Sequence, residues 1–324
     1  MNQDDSRQID FQIESGEAVL DHKEDKDPGK IANLGLLIGK TEQEVKHIMG
    51  EHVRTEPSAY GYEWRIFDRP GQYVMVGIEN GKAVTAFATG NDAPVKPFKI
   101  GQSAVEIRET AARQTENSFS VNGTEYQFHL TENDLKAKPL LQIAPDVWVQ
   151  LYIDIFTGSL SSVRYLNDGT LVKHRPYEMA YRGKLAENPQ LDFGTWAEVE
   201  KGEAKQIFDL TNVIRKRHGL GEVKWSPETA RVAYLHSKDM HVNEYFSHQS
   251  LDDKDLGDRL TAGGVAFQLA GENIAAQYTD AIDAVEGWLN SEGHRKTLLN
   301  GDFTHLGTGV YQLYYTQNFI QDWQ

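Results

Sequence analysis

The chain has 324 residues, of which 39% are hydrophobic, 10% aromatic and 25% charged. This composition excludes a disordered chain, and the length predicts two domains. The formal net charge of −15 argues against a nucleic-acid partner, because phosphate backbones are bound by clustered cations. The chain contains no cysteine, which excludes disulfides, thiolate nucleophiles and cysteine-based zinc sites.

The N-terminal segment, residues 1–34, is predicted to be a polar arm. Residues 1–30 contain nine acidic and four basic side chains, a composition typical of a solvated tether. The segment lacks the basic stretch and apolar run of a signal peptide, and no run of about 18 apolar residues occurs anywhere in the chain. We therefore expect neither a signal nor a membrane anchor within this sequence.

An internal repeat follows over residues 35–180. The pattern of residues 38–46 returns 62 positions later at residues 100–108. The same offset, without a gap, aligns residues 61–64 with residues 123–126. Because a fixed offset of this kind marks a repeated structural unit, the sequence predicts two copies of one unit in tandem.

Each copy is predicted to start with a helix. Thr41 and Ser103 are each followed three positions later by a glutamate, which is the spacing of a capping box. Asn80-Gly81 and the glycine of Thr157-Gly158 predict tight hairpin turns. Strands are predicted over residues 62–67, 73–78, 83–88, 125–130, 147–156 and 160–166. Each copy is thus expected to be a helix followed by an antiparallel sheet.

The chain beyond residue 180 follows a different pattern. Residues 181–202 contain several glycines and an Asn-Pro pair and are predicted to be a linker. From residue 203 onward, helical spacing comes first, with a helix start at Ser226-Pro227. Alternating strands are predicted at the end, over residues 307–311 and 314–320. Helices followed by strands predict an α+β sandwich over residues 203–324.

The candidate metal-binding and acid-base residues lie in this last region. Six of the eleven histidines lie after residue 200, and His248, His294 and His305 stand beside loop residues or glycines. Glu272 lies between them in a Gly-Glu-Asn-Ile segment. Two imidazoles and a carboxylate in one cleft could hold zinc or act as an acid and base. No HExxH, GxSxG, P-loop or GxGxxG pattern occurs, so the residues alone leave both chemistries open.

Five segments, in this order, carry a resemblance to a known family. They are NVIRKRHGLGEVKWSPETARVAYLHSKDM, YFSHQS, AGENIA, AVEGWLNSEGHRKTLLN and HLGTGVYQLYYTQNF. They resemble the CAP superfamily of cysteine-rich secretory, antigen 5 and pathogenesis-related proteins, in its cysteine-free bacterial form. The tandem repeat ahead of them resembles the CAP-associated N-terminal domain of exported proteins from spore-forming bacteria.

The resemblance implies an α+β fold in which a C-terminal α-β-α sandwich follows the tandem-repeat domain. It also implies an extracytoplasmic location, secreted or membrane-anchored, and a cleft with two histidines and two acidic residues that binds a divalent metal in some members. His248 matches the first histidine and Glu272 the first acid. Glu292 matches the second acid loosely, and Tyr314 stands where the second histidine is expected.

His294 is the best substitute for that second histidine, with His305 next. A divalent metal such as zinc is not required, but if one binds we expect His248 to hold it with His294 or His305. We expect Glu272 to lie within hydrogen-bond reach of His248, because a buried carboxylate needs a partner, and Asn273 to orient Glu272. The predicted ligand cleft contains His248, Glu272, Asn273, Glu292, His294 and Tyr314.

Three functions remain open at this point. A binding module would take a lipid, a peptide or a cell-wall fragment in the cleft. A hydrolase would use metal or His/Glu chemistry there, and a scaffold would dock a protein partner through residues 35–180. The departure at Tyr314 and the lack of a nucleophile motif favour binding or interaction over catalysis.

Overall fold

The computed structural model describes residues 31–110 and 114–323. The predicted arm lies outside the described residues over positions 1–30, but its last four positions are folded. A single 3-10 turn spans Leu34–Leu37, and both of these leucines are fully buried. The arm prediction is wrong here because Ile31 and Leu34 are apolar side chains that pack into the N-terminal core.

Helices and strands are interspersed along the described residues. The helices are α1 (Glu42–Met49), α2 (Ala104–Thr110), α3 (Glu132–Ala137), α4 (Asp168–His174), α5 (Phe193–Arg217), α6 (Pro227–Val242), α7 (Leu256–Ala262), α8 (Ala281–Leu289) and α9 (Glu292–Leu298). The strands are β1 (Arg54–Pro57), β2 (Glu63–Arg69), β3 (Gln72–Glu79), β4 (Lys82–Thr89), β5 (Glu116–Val121), β6 (Thr124–His129), β7 (Leu140–Ala144), β8 (Val147–Asp154), β9 (Ser159–Leu166), β10 (Glu178–Arg182), β11 (Lys224–Trp225), β12 (Leu269–Ala276), β13 (His305–Tyr311) and β14 (Tyr314–Gln321). The α+β fold class is confirmed.

The hairpins of the two predicted copies share one sheet. Its strand order is β1-β2-β3-β4-β9-β8-β7, and antiparallel pairing of β4 with β9 joins the halves. The antiparallel sheet expected for each copy is thus part of one larger sheet. Strands β4 and β9 are almost entirely buried, and pairing them satisfies backbone groups that burial would otherwise leave unpaired. A separate three-stranded sheet has the order β10-β6-β5.

Equivalent hydrogen bonds attach the first turn of each predicted copy to its hairpin. The N–H of Gly39 donates to the carbonyl of Ala83, and the N–H of Gly101 donates to the carbonyl of Leu160, both at 2.8 Å. The helix starts also match, since the first helical N–H groups of α1 and α2 donate to the carbonyls of the hairpin glycines. Thr41 and Glu44 form the predicted capping box.

Contacts divide the chain into two units. The first comprises the described part of Met1–Arg54 together with Arg65–Glu187, and the second comprises Thr55–Trp64 and Asn188–Gln324. A short segment that the sequence assigns to the N-terminal domain thus belongs by contacts to the second unit.

Helix α5 begins inside the predicted linker. Asp192 caps it by accepting from the N–H of Thr195 at 2.7 Å, and Val199 is already fully buried. Residues 193–202 are therefore helical rather than a linker. The cost of glycines in a helix, about 1 kcal/mol each, is outweighed in a helix of 25 residues that buries one face.

The second unit contains a four-stranded sheet between helices. Its order is β11-β13-β14-β12, with β11 parallel to β13 and the other pairs antiparallel. Helix α6 packs closely on one face because Gly307 and Gly309 have no side chains, and a Cβ at either position would overlap the α6 backbone. On the other face, Thr308 donates to the carbonyl of Ala204 in α5. The C-terminal α-β-α sandwich is confirmed.

Candidate functional site

Two elements place the main site residues. The α6–α7 loop, residues 243–255, carries His248, and the edge strand β12 carries Glu272. Glu272 lies directly opposite Asn318 of β14, on the sheet face against which α6 packs. Its side chain is only 3% exposed, so the carboxylate lies under the loop rather than in solvent, as the sequence predicts.

Both carboxylate oxygens of Glu272 accept hydrogen bonds from neighbouring side chains. Its Oε1 lies 2.9 Å from Nδ1 of His248 and 2.9 Å from Nη2 of Arg259, and its Oε2 lies 2.7 Å from the same guanidinium nitrogen. The expected contact with His248 is therefore present. Arg259, which the sequence reasoning missed, supplies the compensating charge that a buried carboxylate requires.

Arg259 also holds the loop. Its Nη1 donates to the carbonyls of His248 at 2.8 Å and Lys254 at 3.1 Å, and to the hydroxyl of Ser250 at 3.3 Å. One guanidinium thus connects the middle and the C-terminal end of the loop to the β12 carboxylate. The backbone around His248 is consequently fixed by buried and half-buried polar groups.

These contacts orient the His248 ring. Because a carboxylate accepts, Nδ1 of His248 carries the proton that is shared with Glu272, and Nε2 is left as a hydrogen-bond acceptor. The His248 side chain is 57% exposed. An exposed imidazole with a fixed tautomer is suited to accept a hydrogen bond from a ligand or to remove a proton from one.

A second buried imidazole lies behind this pair. His236 of α6 is 1% exposed, and its Nε2 donates to the carbonyl of Ser247 at 3.0 Å and lies 4.0 Å from Oε1 of Glu272. Burial lowers the pKa of His236, which favours the neutral ring. The sequence interpretation of His236 as a packing residue misses its contact with the loop.

His294 is half-buried beside the loop. Its Nδ1 lies 2.9 Å from the hydroxyl of Ser291. Burial lowers the pKa of His294, and a proton on His248 lowers it further, so the two imidazoles lie within electrostatic range of each other. Asn273 donates to the carbonyl of His294 and to Oε1 of Gln317, each at 3.1 Å. Asn273 therefore connects β12 to α9, whereas the sequence expectation was that it orients Glu272.

The remaining predicted residues do not lie at the His248–Glu272 pair. Glu292 is exposed and forms an ion pair with Lys296 at 2.8 Å. Tyr314 lies at the far end of β14, four positions or about 13 Å from the residue opposite Glu272, and its ring contacts that of His241. His305 begins β13, and its Nδ1 lies 2.9 Å from the hydroxyl of Thr304.

Few side chains at this site are available as metal ligands. Within residues 31–110 and 114–323, no group of three or more His, Asp or Glu side chains is arranged to hold a metal ion. Both oxygens of Glu272 are already hydrogen-bonded. The residues left for the predicted metal are His248 and His294, which is fewer than the three protein ligands of a catalytic zinc site.

Two family models match successive parts of the chain. Residues 208–323 match the model of the cysteine-rich secretory protein family, CAP. Residues 38–177 match the model of the CAP-associated N-terminal domain. The two matches account for most of the described chain and follow each other in the order that the sequence predicts.

Similar proteins occur in bacteria. The chain is 48% identical over 292 residues to a protein of Bacillus subtilis (strain 168) named "Uncharacterized membrane protein YlbC", covering 89% of this chain and 84% of that protein. A solved extracellular protein containing an SCP domain, from Bacillus anthracis, is 43% identical with a TM-score of 0.87 and covers 94% of this chain and 100% of that chain. A cysteine-rich secretory protein of Staphylococcus aureus is 26% identical with a TM-score of 0.81, covering 91% and 94%.

Proposed function

Because this chain belongs to the CAP family, with a CAP-associated N-terminal domain ahead of the CAP domain, we propose that it is an extracytoplasmic binding protein. In this proposal the C-terminal unit binds a cell-wall fragment at the site formed by His248 and His294. The ligand donates a hydrogen bond to Nε2 of His248 and contacts the His294 ring beside it.

The observation that carries the proposal is the state of His248. Its ring is oriented by a buried carboxylate that is itself neutralised by Arg259, yet 57% of the side chain is exposed. An imidazole that is already held in one orientation with its other nitrogen accessible loses little conformational entropy when a ligand binds to that nitrogen. Hydroxyl and amide groups, which are abundant in glycan strands and their peptides, are suitable donors.

Hydrolysis receives less support from the same geometry. An oriented imidazole could serve as a general base, but Nε2 of His248 makes no hydrogen bond to any described residue, and no described hydroxyl is paired with it as a nucleophile would be. A metal-dependent variant would have to use His248 and His294 with ligands supplied by the substrate or by water. We therefore keep binding as the main proposal.

The relatives support the proposed location. One is named a membrane protein and another an extracellular protein. None of the helices in the described part of the chain combines the length and apolar character that crossing a bilayer needs. In intact cells from which the wall has been removed, added protease should degrade the native protein while a cytoplasmic marker survives. Protection of both proteins would contradict the proposal.

We also infer that residues 35–180 contain two copies of one unit. The support is the shared hydrogen-bond pattern in which Gly39 and Gly101 each attach to the following hairpin, together with the 62-residue offset in the sequence. A duplicated unit offers two equivalent surfaces, which is consistent with docking a protein partner through this region.

Titration calorimetry with soluble muropeptides tests the ligand proposal. We expect binding by the full chain, and at least tenfold weaker binding by His248→Ala. His129→Ala is the matched control, because His129 is an exposed histidine of β6 in the other unit, and it should bind like the wild type. Equal affinities for the wild type and His248→Ala, or no binding by either, would overturn the proposal.

A further inference from the structure

A second recognition surface lies on the α6–α7 loop. We propose that this loop docks a cationic peptide segment in which lysine or arginine alternates with large apolar side chains. The surface is the outer side of residues 243–255, with Phe246 and Leu251 as its apolar contacts. The inference uses the loop that carries His248 but does not depend on ligand binding at His248 and His294.

The apolar contacts are exposed on a backbone that is held in place. Phe246 is 53% and Leu251 66% exposed. Between them, the loop is fixed by His236 at the carbonyl of Ser247 and by Arg259 at the carbonyl of His248. Two large apolar side chains exposed on one ordered loop offer a partner apolar surface that it can cover. Because the backbone is already ordered, binding loses little conformational entropy.

Further contacts extend this ordering to the ends of the loop. Tyr245 donates from its hydroxyl to Asp239 of α6, and burial together with this hydrogen bond raises the pKa of Tyr245 to about 12. The N–H of Ser250 donates to the carbonyl of Lys254 at 2.9 Å. The backbone that carries Phe246 and Leu251 is therefore ordered before a partner binds.

The charge of the loop selects a cationic partner. Residues 243–255 contain four acidic side chains and one basic side chain, and that base, Lys254, is paired with Asp252 at 2.5 Å. Glu244 and Asp253 are exposed and make no ion pair within the described residues. Acidic groups flanking exposed apolar ones attract a segment with the opposite charge and similar spacing.

The same charge argues against a lipid surface as the partner. Bacterial and other biological membranes present anionic headgroups, which attract basic loops and repel acidic ones. Insertion would also need a larger apolar face than two side chains provide. A peptide instead supplies cations for Glu244 and Asp253 and apolar side chains for Phe246 and Leu251.

Fluorescence anisotropy with two labelled ten-residue peptides tests the proposal on the full chain. One peptide alternates lysine and leucine, and the other alternates lysine and glycine, so that both have the same charge. We expect the Lys-Leu peptide to bind at least tenfold more tightly than the Lys-Gly peptide, with affinity that falls as salt is added. Equal affinities would mean general attraction to an acidic protein and would overturn the proposal.

Paired variants locate the binding. Phe246→Ala with Leu251→Ala should weaken Lys-Leu binding at least tenfold. The control pair is Val105→Ala with Phe156→Ala, which removes one aliphatic and one aromatic side chain of similar exposure, 61% and 49%, from the other unit, and it should have no effect. A wild-type affinity in the first pair, or an equal loss in both pairs, would remove the assignment to this loop.

Two further substitutions test whether the acidic side chains are required. Glu244 and Asp253 have positive φ angles of 55° and 62°, a conformation that asparagine tolerates. Glu244→Asn with Asp253→Asn should therefore preserve the loop while weakening the Lys-Leu peptide about threefold to tenfold and flattening its salt dependence. His248→Ala should keep peptide binding while losing muropeptide binding, so failure of one proposal is distinguishable from failure of the other.

Discussion

Nδ1 of His248 lies 2.9 Å from Oε1 of Glu272, although the histidine is mostly exposed and the glutamate is almost completely buried. The pair joins the surface of the α6–α7 loop to the interior of the sheet. Arg259 completes it, because its guanidinium contacts both oxygens of Glu272 and the carbonyl of His248. The position of the imidazole therefore depends on a charge that the sequence reasoning did not include.

Removing that charge should destabilise the second unit. Arg259→Ala leaves the Glu272 carboxylate buried without its counter-charge, a situation that costs about 3–5 kcal/mol, and it also removes the donors to the loop. We expect the free energy of unfolding, measured with urea, to fall by roughly this amount. Weaker muropeptide binding should accompany it because the His248 ring loses its orientation.

Arg231→Ala is the matched control for Arg259→Ala. Arg231 also donates to a backbone carbonyl, that of Gly263 at 3.0 Å, but it is exposed. Its removal should change the free energy of unfolding by no more than about 0.5 kcal/mol. Similar losses in the two variants would contradict the role assigned to Arg259.

The stability of the second unit should depend on pH through His236. Burial lowers the pKa of His236 despite the nearby carboxylates of Glu272 and Asp239, and the charge of Arg259 acts in the same direction as burial. Below the usual histidine pKa of about 6.5, the unfolded chain binds a proton that the folded chain resists. The free energy of unfolding should therefore fall as the pH is lowered from 7.5 to 5.5.

The variant His236→Gln tests this contribution. Glutamine does not titrate, and its amide can still donate to the carbonyl of Ser247, so the loss of stability between pH 7.5 and 5.5 should be smaller than in the wild type. His129→Gln, at an exposed position, should leave the pH dependence unchanged. An unaltered slope in His236→Gln would show that other groups cause the pH dependence.

Two neighbouring asparagines should respond in opposite ways to the same substitution. Asn273 and Asn318 are both fully buried. Asn273 donates two hydrogen bonds, whereas neither polar atom of the Asn318 side chain has a hydrogen-bond partner among the described residues. A buried polar group without a partner costs about 1–3 kcal/mol, so replacing it with an apolar side chain of similar size removes that cost.

Urea denaturation of the two leucine variants measures the contrast. Asn273→Leu should lower the free energy of unfolding by about 1–3 kcal/mol, because the carbonyl of His294 and the amide of Gln317 lose a partner. Asn318→Leu should raise it by about 1 kcal/mol. A loss of stability in Asn318→Leu as well would mean that bound water satisfies Asn318 in solution.

The sequence predicts local features of this fold well where one residue type decides them. Thr41 caps α1, and Ser226 caps α6 with Pro227 at its first position, because side-chain acceptors and proline have few other stable placements at a helix start. The contact of Glu272 with His248 is predictable for a similar reason, since a buried carboxylate must find a donor.

What the sequence could not predict depends on strand register and on which side of a helix faces the sheet. Tyr314 and Glu272 are on neighbouring strands, but the register of β12 with β14 separates them by four positions. His236 and Arg259 lie on α6 and α7, and only the packing of those helices shows that both side chains reach Glu272. The one available signal was that each is a polar residue at a position where helical spacing predicts burial.

The close approach of α6 to β13 yields the last prediction. Gly309 lies against the α6 backbone at Tyr234, and a Cβ built on Gly309 would overlap the main chain there rather than a flexible side chain. The carbonyl of Gly309 also accepts from the hydroxyl of Ser237 at 3.0 Å. Gly309→Ala must therefore push α6 away from the sheet, and we expect the free energy of unfolding to fall by about 3 kcal/mol, the upper end of the cost of overpacking.

Gly293→Ala is the control, because Gly293 lies within α9 with no atom within 4 Å of an added Cβ, and it should stabilise the protein by about 0.5 kcal/mol. Urea denaturation of both variants tests this prediction. Equal stabilities for Gly309→Ala and the wild type would show that the two backbones are farther apart in solution. The close packing of α6 on β13, which positions His236 beside Glu272, would then be wrong.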